Sequence, residues 1–290
     1  MPIRARWALA GAAGCVMLIV ATWFAAFHIP IFHKADLSTY LGFVGLHHHG
    51  AVDAVAGRLV WLCNPRTYVL WAPVAVVLPF LRGRPRVAIG AGAILLGANV
   101  TTELLKRVAA PPEPSGLLGG WLPVPATSWP SGHTTAAMAV ILCLMLASPG
   151  RLRPFVAALG AAFAVAIGYS VVATGMHFPS DVFAGYLVAT TWALVVVAAL
   201  SAAERRWPTG ATVDRVSIRA ALAPQAAVIA AAVVLAGLMV LSHPHDVFAY
   251  SEAHKQLVAV AAAIATLGVS LSTATMLSLR AGPASTARGT

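Results

Sequence analysis

Two histidines of the chain stand in contexts that suit phosphoryl chemistry. His133 follows Pro130-Ser131-Gly132 at the start of an apolar run, and Asp181 lies four residues after His177. The first turn of a helix has unpaired N–H groups and a partial positive charge, so Ser131-Gly132 would form an anion site there. A carboxylate beside His177 would orient its ring and leave the other nitrogen free to attack. The pattern therefore predicts a phosphate site with a nucleophile and a proton donor.

Each short pattern also has an ordinary structural explanation, and these alternatives stay open at this point. A serine before an apolar helix is a common N-cap, and Asp181 would serve equally well as a helix cap while His177 faces water. Lys106, near the end of another apolar run, would act as a point charge on a phosphate. It would equally snorkel to lipid headgroups or pair with Glu103, one turn earlier.

The composition identifies the kind of protein that must position these residues. The chain has 290 residues, of which 59% are hydrophobic and 10% charged, and its mean hydropathy is +0.82. A soluble domain has roughly 45–50% apolar and about 25% charged residues. The net charge of +10 would suit nucleic-acid binding, but the basic residues form short clusters between long apolar runs. That distribution is typical of a multi-span membrane protein, so we predict no nucleic-acid partner.

Eight apolar segments are long enough to cross a bilayer, which takes about 20 residues. The first is longer than the apolar region of a signal peptide, usually about 7–15 residues, and is therefore counted as a span. We predict one all-α integral membrane domain over residues 1–290, with a catalytic core from spans three to six and a disordered cytoplasmic tail at 280–290. The eight spans are 7–27, 61–81, 87–108, 131–149, 155–175, 182–203, 223–242 and 256–278.

The loops predict how the chain is oriented. With the N-terminus in the cytoplasm, most of the 19 basic residues lie on the inner side, including the clusters RGRPR at 82–86 and RLRP at 151–154. The positive-inside rule then places both termini in the cytoplasm of a plasma-membrane protein. All ten histidines fall on the outer side in this arrangement. Since histidine suits proton and phosphoryl chemistry near neutral pH, we predict an active site on the outer face.

The candidate residues, taken together, resemble the type 2 phosphatidic acid phosphatase superfamily. Its pattern is Lys-x6-Arg-Pro, then Pro-Ser-Gly-His, then Ser-Arg-x5-His-x3-Asp, and the resemblance covers roughly residues 95–200, a lipid-phosphatase-like core. The superfamily includes membrane lipid phosphatases, undecaprenyl pyrophosphate phosphatases and soluble vanadium haloperoxidases. The matching residues are Lys106, Pro114, Pro130, Ser131, Gly132, His133, Ser170, His177 and Asp181.

The chain departs from this pattern at both arginine positions. Glu113 stands at the first and Val171 at the second, so two phosphate-clamping side chains are missing. A hydrogen bond to a charged group contributes roughly 1.5–3 kcal/mol, so the loss weakens phosphate binding unless other cations replace them. Arg66 and Arg107 are the candidate substitutes.

The resemblance implies phosphoryl transfer without a metal or other cofactor. His177 would attack phosphorus, Asp181 would orient it and His133 would protonate the leaving group. The phosphoryl oxygens would be held by Lys106, Ser131 and Gly132.

These roles predict an outward-facing phosphatase for polyprenyl (pyro)phosphates or glycerolipid phosphates, in contact with membrane lipids. Two alternatives remain: a transferase that moves the phospho-group to another acceptor, and a non-catalytic lipid-binding membrane protein. The outer histidines at 47–49, 243, 245 and 254 favour a metal site only weakly, and we predict none. The sequence does not indicate an oligomeric state.

Overall fold

A computed structural model describes residues 3–45, 50–109, 128–209 and 216–280, which form helices joined by short turns. The predicted tail beyond residue 280 lies outside the described residues. The helices are α1 Ile3–His28, α2 Pro30–Gly45, α3 Gly50–Cys63, α4 Pro65–Trp71, α5 Val74–Leu81, α6 Pro85–Val108, α7 Gly132–Ala147, α8 Arg153–Ala173, α9 Pro179–Arg206, α10 Ile218–Ser242, α11 Pro244–Ala253 and α12 Lys255–Ser278.

Six of the helices in the described part of the chain are long and apolar enough to cross a membrane, namely α1, α6, α8, α9, α10 and α12. They confirm the prediction of an all-α polytopic membrane bundle. The two other predicted spans, 61–81 and 131–149, correspond to shorter apolar helices over Pro65–Leu81 and Gly132–Ala147.

The second predicted span is divided because its sequence carries two signals that begin or break a helix. The side chain of Asn64 accepts a hydrogen bond from the Arg66 N–H at 3.2 Å and so caps α4. Pro73 then separates α4 from α5, since proline has no N–H to continue the helical bonding.

Helix α9 lies at the centre of the bundle and α10 at its edge. The most apolar stretch of α9 is 72% buried, whereas that of α10 is 6% buried. Helices α1, α6, α7 and α12 all pack against α9. Small residues allow close approach: a Cβ on Gly97 would stand 2.5 Å from the Trp192 ring. The central position of α9 holds its N-terminus firmly against its neighbours.

Helix α2 was not among the predicted spans, because residues 30–45 mix polar and charged side chains with apolar ones. It packs against α8, α9 and α12 and buries Thr39, Tyr40 and Phe43. Its polar residues therefore reach the same end of the bundle as the start of α9.

Candidate active site

The turn between α8 and α9 places His177. Gly175 has φ +73°, a left-handed conformation that favours glycine, and it ends α8. The N–H groups of Met176 and His177 both donate to the carbonyl of Val171, at 3.0 and 3.2 Å. This tight reversal holds His177 just before Pro179, the first residue of α9.

Asp181, in the first turn of α9, fixes the orientation of His177. Its Oδ2 lies 3.1 Å from His177 Nδ1 and accepts a hydrogen bond from the Phe178 N–H, also at 3.1 Å. Asp181 is 1% and His177 7% exposed. Because Nδ1 is engaged by the carboxylate, Nε2 is the ring nitrogen available to a substrate.

The start of α7 is joined to the start of α9 through Ser131. The Ser131 N–H donates to the backbone carbonyl of Asp181 at 3.0 Å. Its Oγ caps α7 by accepting from the Thr134 N–H at 3.4 Å, and its carbonyl accepts from the hydroxyl of Thr135 at 2.9 Å. Ser131 is fully buried and does not line the pocket described below, so its role on phosphate remains a prediction.

His133 follows in the first turn of α7 and faces His177. The two ring centroids lie 6.0 Å apart at an interplanar angle of 67°. His133 Nε2 is buried and makes no hydrogen bond within the part of the chain that the structure describes. A proton donor without a protein partner, beside a histidine oriented for attack, suits transfer of a proton to a leaving group.

Both histidines line one end of a cavity of about 640 Å³, a size typical of a small-molecule site. The polar end also holds Glu103, Lys106 and Gly132. The rest of the cavity is mostly apolar and lies along α4, α5 and α6. Its residues include Val69, Ala72, Val76, Val77, Leu95, Leu96 and Val100. If a phosphate group bound at the polar end, a hydrocarbon chain attached to it would fit the apolar part of the cavity.

Lys106 lies at the N-terminus of α7, as a phosphate clamp would. Its Nζ is 3.3 Å from the point where a Cβ on Gly132 would stand, so glycine leaves room for the ammonium group. The same Nζ lies 2.7 Å from Glu103 Oε1. The ion pair that the sequence allowed is thus present inside the pocket.

The candidate substitute clamps are not brought to the pocket. Arg66 and Arg107 are exposed, and neither lines it. Val171 is fully buried, whereas Glu113 and Pro114 lie outside the described residues. Among the residues that the structure does describe, no group of three His, Cys, Asp or Glu side chains is placed to hold a metal.

Helix α2 supports the turn that carries His177, a contribution that the sequence does not indicate. Asp36 accepts from the Ser180 N–H at 3.0 Å and from the Ser180 hydroxyl at 2.6 Å. The Tyr40 hydroxyl donates to the Gly175 carbonyl at 3.2 Å, and its ring packs on Phe178 with centroids 4.9 Å apart. These contacts hold both sides of His177, yet no spacing in the sequence connects Asp36 with Ser180.

Asp36→Asn is expected to flatten the dependence of stability on pH. Burial raises the pKa of the Asp36 carboxyl to about 7, against the hydrogen bonds from Ser180 and with a contribution from Asp181. Between about pH 4 and 7 the folded protein keeps this proton and the unfolded chain loses it, so the free energy of unfolding falls as pH rises. Asparagine has nearly the same shape as aspartate but carries no group that titrates in this pH range.

Denaturant unfolding in detergent micelles from pH 4 to 8 measures this slope. Ser180→Ala removes a hydrogen bond that opposes the shift, so the fall in the free energy of unfolding should continue to higher pH. Parallel pH curves for Asp36→Asn and the unchanged protein would contradict the assignment.

The comparisons with known proteins match the part of the chain that contains these residues. Residues 87–205 match the model of the PAP2 superfamily. An undecaprenyl-diphosphatase of Sulfolobus acidocaldarius is 29% identical over 147 residues, which are 49% of this chain and 69% of that protein. No solved structure matches the chain. The matched range includes both histidines, Asp181 and Lys106, and contains the predicted core at 95–200.

Proposed function

The match over residues 87–205 supports membership of the PAP2 superfamily, and on that premise we propose that this lipid phosphatase works through a phosphohistidine on His177. One observation carries the proposal. His177, oriented by Asp181, faces His133 at the polar end of a mostly apolar cavity, and His133 Nε2 makes no hydrogen bond to the described residues.

In the first step, His177 Nε2 attacks the terminal phosphorus and the bond from phosphorus to the leaving oxygen breaks. The Nδ1 proton stays in its hydrogen bond to Asp181, whose negative charge stabilises the phosphorylated ring. His133 gives a proton to the departing oxygen, which leaves as a lipid alcohol from a monophosphate or as a lipid phosphate from a diphosphate. Lys106 offsets negative charge on the phosphoryl oxygens beside the start of α7.

In the second step, water attacks the phosphohistidine. His133, now without its proton, accepts one from the water as the bond between Nε2 and phosphorus breaks. Inorganic phosphate leaves, and both histidines return to their starting states. The cycle balances without a metal or a redox partner.

The shape of the cavity supports a lipid substrate. When the phosphate lies beside the histidines, the polyprenyl or acyl chain attached to it occupies the apolar space along α4 to α6. We propose polyprenyl (pyro)phosphates or glycerolipid phosphates as substrates. The distribution of basic residues supports a site on the outer face of the plasma membrane, with both termini in the cytoplasm.

Phosphate release by the purified protein tests this function. A polyprenyl diphosphate, a polyprenyl phosphate, phosphatidate and phosphatidylglycerophosphate are offered in micelles with a chelator present. We expect release from at least one lipid and an acid-labile label on His177 after a quench with radioactive substrate. Transfer to an added alcohol without release would favour a transferase, and neither release nor label would overturn the proposal.

His133→Asn is expected to slow phosphate release according to the leaving group. An alkoxide needs a proton to depart whereas a nitrophenolate does not, so a lipid alkyl phosphate should lose about 10²–10⁴-fold in rate. A nitrophenyl phosphate should lose much less in formation of the phosphohistidine, measured as the burst of nitrophenol. Equal losses for the two substrates would show that His133 is not the proton donor.

A further inference from the structure

The carboxylate of Glu103 lies close to the start of α7. Its Oε1 lies 2.7 Å from Lys106 Nζ and 3.8 Å from the point where a Cβ on Gly132 would stand. In the proposed function, Lys106 and the first turn of α7 are the groups that bind the substrate phosphate. Glu103 thus already engages Lys106, one of these groups, in the structure.

The Glu103 carboxylate strongly affects the net charge of the pocket, because few charged side chains line it. Among the described residues, Lys106 is the only Lys or Arg lining it and Glu103 the only Asp or Glu. Together Lys106 and Glu103 carry no net charge. Beyond Lys106 and the protonated His133 of the proposed first step, the described lining of the pocket therefore offers no further cation to a phosphate with several negative charges.

We propose that Glu103 is a resident anion that the substrate phosphate must displace, and that it selects phosphate groups carrying one negative charge. The proposal rests on the proposed function. It predicts that the protein prefers phosphodiesters, or monoesters that retain one proton, over diphosphates as substrates. Each further negative charge within a few ångströms of the carboxylate is repelled by it. The first step on His177 is unchanged, since a diester also forms a bond from phosphorus to nitrogen and releases the lipid alcohol. In the second step water releases the remaining phosphomonoester in place of inorganic phosphate.

The exposure of the two side chains makes displacement possible. The Glu103 side chain is 61% exposed, whereas that of Lys106 is 22% exposed. When a phosphate enters, Glu103 can turn into water without burying a charge, while Lys106 stays in the pocket. The carboxylate then remains near enough to repel additional charge on the substrate.

A second ion pair in the chain provides a matched control. Glu252 and Lys255 have the same i,i+3 spacing and the same N–O distance of 2.7 Å, with side chains 72% and 69% exposed. Neither lines the pocket. Glu252→Gln removes the same charge from the same kind of pair without touching the site.

The test compares one short prenyl alcohol as its diphosphate, its monophosphate and its methyl phosphodiester. For Glu103→Gln, kcat/KM for the diphosphate relative to the diester should rise about tenfold or more, as expected for removing one partly screened charge at this range. The monophosphate should fall between them, and Glu252→Gln should leave all ratios unchanged. An unchanged ratio in Glu103→Gln and Glu103→Ala would overturn the proposal.

Binding of inorganic phosphate separates this proposal from the proposed function. Titration calorimetry at pH 8 should show tighter binding to Glu103→Gln, by about tenfold, than to the unchanged protein. If no variant turns over any lipid, the proposed function fails while phosphate binding still decides the role of Glu103. Equal dissociation constants would mean that Glu103 does not compete for the site.

Discussion

His177→Ala is expected to reduce phosphate release by about three orders of magnitude or more, because removal of a covalent nucleophile has effects of that size in enzymes. His177 is the only histidine of the site whose ring is oriented by a buried carboxylate, Asp181, at 3.1 Å, among the residues that the structure describes. His133 Nε2 makes no hydrogen bond to the described residues, so we do not expect His133 to act as the nucleophile in place of His177.

The measurement is the initial rate of phosphate release, with folding checked by thermal unfolding and elution as a single species. His243→Ala serves as the control, since His243 contacts Ser242 and does not line the pocket. The radioactive label should also disappear from His177→Ala and persist in the control. A residual rate above about a tenth of the original is incompatible with a covalent role for His177.

Gly185→Ala is expected to lower phosphate release by about a hundredfold and to destabilise the fold by about 1–3 kcal/mol. A Cβ on Gly185 would collide with Thr134 Oγ1 and stand 2.7 Å from the carbonyl oxygen of Ser131. Since the second contact is with backbone, the start of α7 must move away from α9. That movement separates His133 from His177.

Denaturant unfolding and the rate of phosphate release measure the two effects separately. Gly237→Ala is the matched control, because a Cβ there meets nothing within 4 Å and alanine favours a helix. The control should keep its activity and gain slightly in stability. Full activity in Gly185→Ala would mean that the contact between α7 and α9 does not set the distance between the histidines.

The helical membrane architecture could be predicted because long apolar runs determine it locally. Lys106, His133, His177 and Asp181 could be singled out because a resemblance links their types and spacing, and the family match confirms the resemblance. Lys106, His133 and His177 meet at one pocket because α6 ends, and α7 and α9 begin, on the same side of the bundle. For the helices and for the choice of these candidate residues, the local sequence pattern and the predicted topology were sufficient.

Other features depend on packing that the sequence does not express. Asp36 and Ser180 are 144 positions apart, and only the docking of α2 on α9 brings them together. The pairing of Glu103 with Lys106 was considered from the sequence, but its closeness to Gly132 depends on how α6 packs on α7. The predicted topology places Arg66 and Arg107 at the outer ends of their spans, yet neither side chain lines the pocket.

The contacts from α2 also limit which segment of this chain could be grafted onto a related protein. The family match covers 87–205, and Asp36 and Tyr40 lie outside it. Grafting that range onto another scaffold would transfer the reacting groups and leave behind the side chains that brace them. The structural unit that positions the histidines is therefore larger than the matched range. Substitutions in the N-terminal helices would change the position of His177 without altering a motif residue.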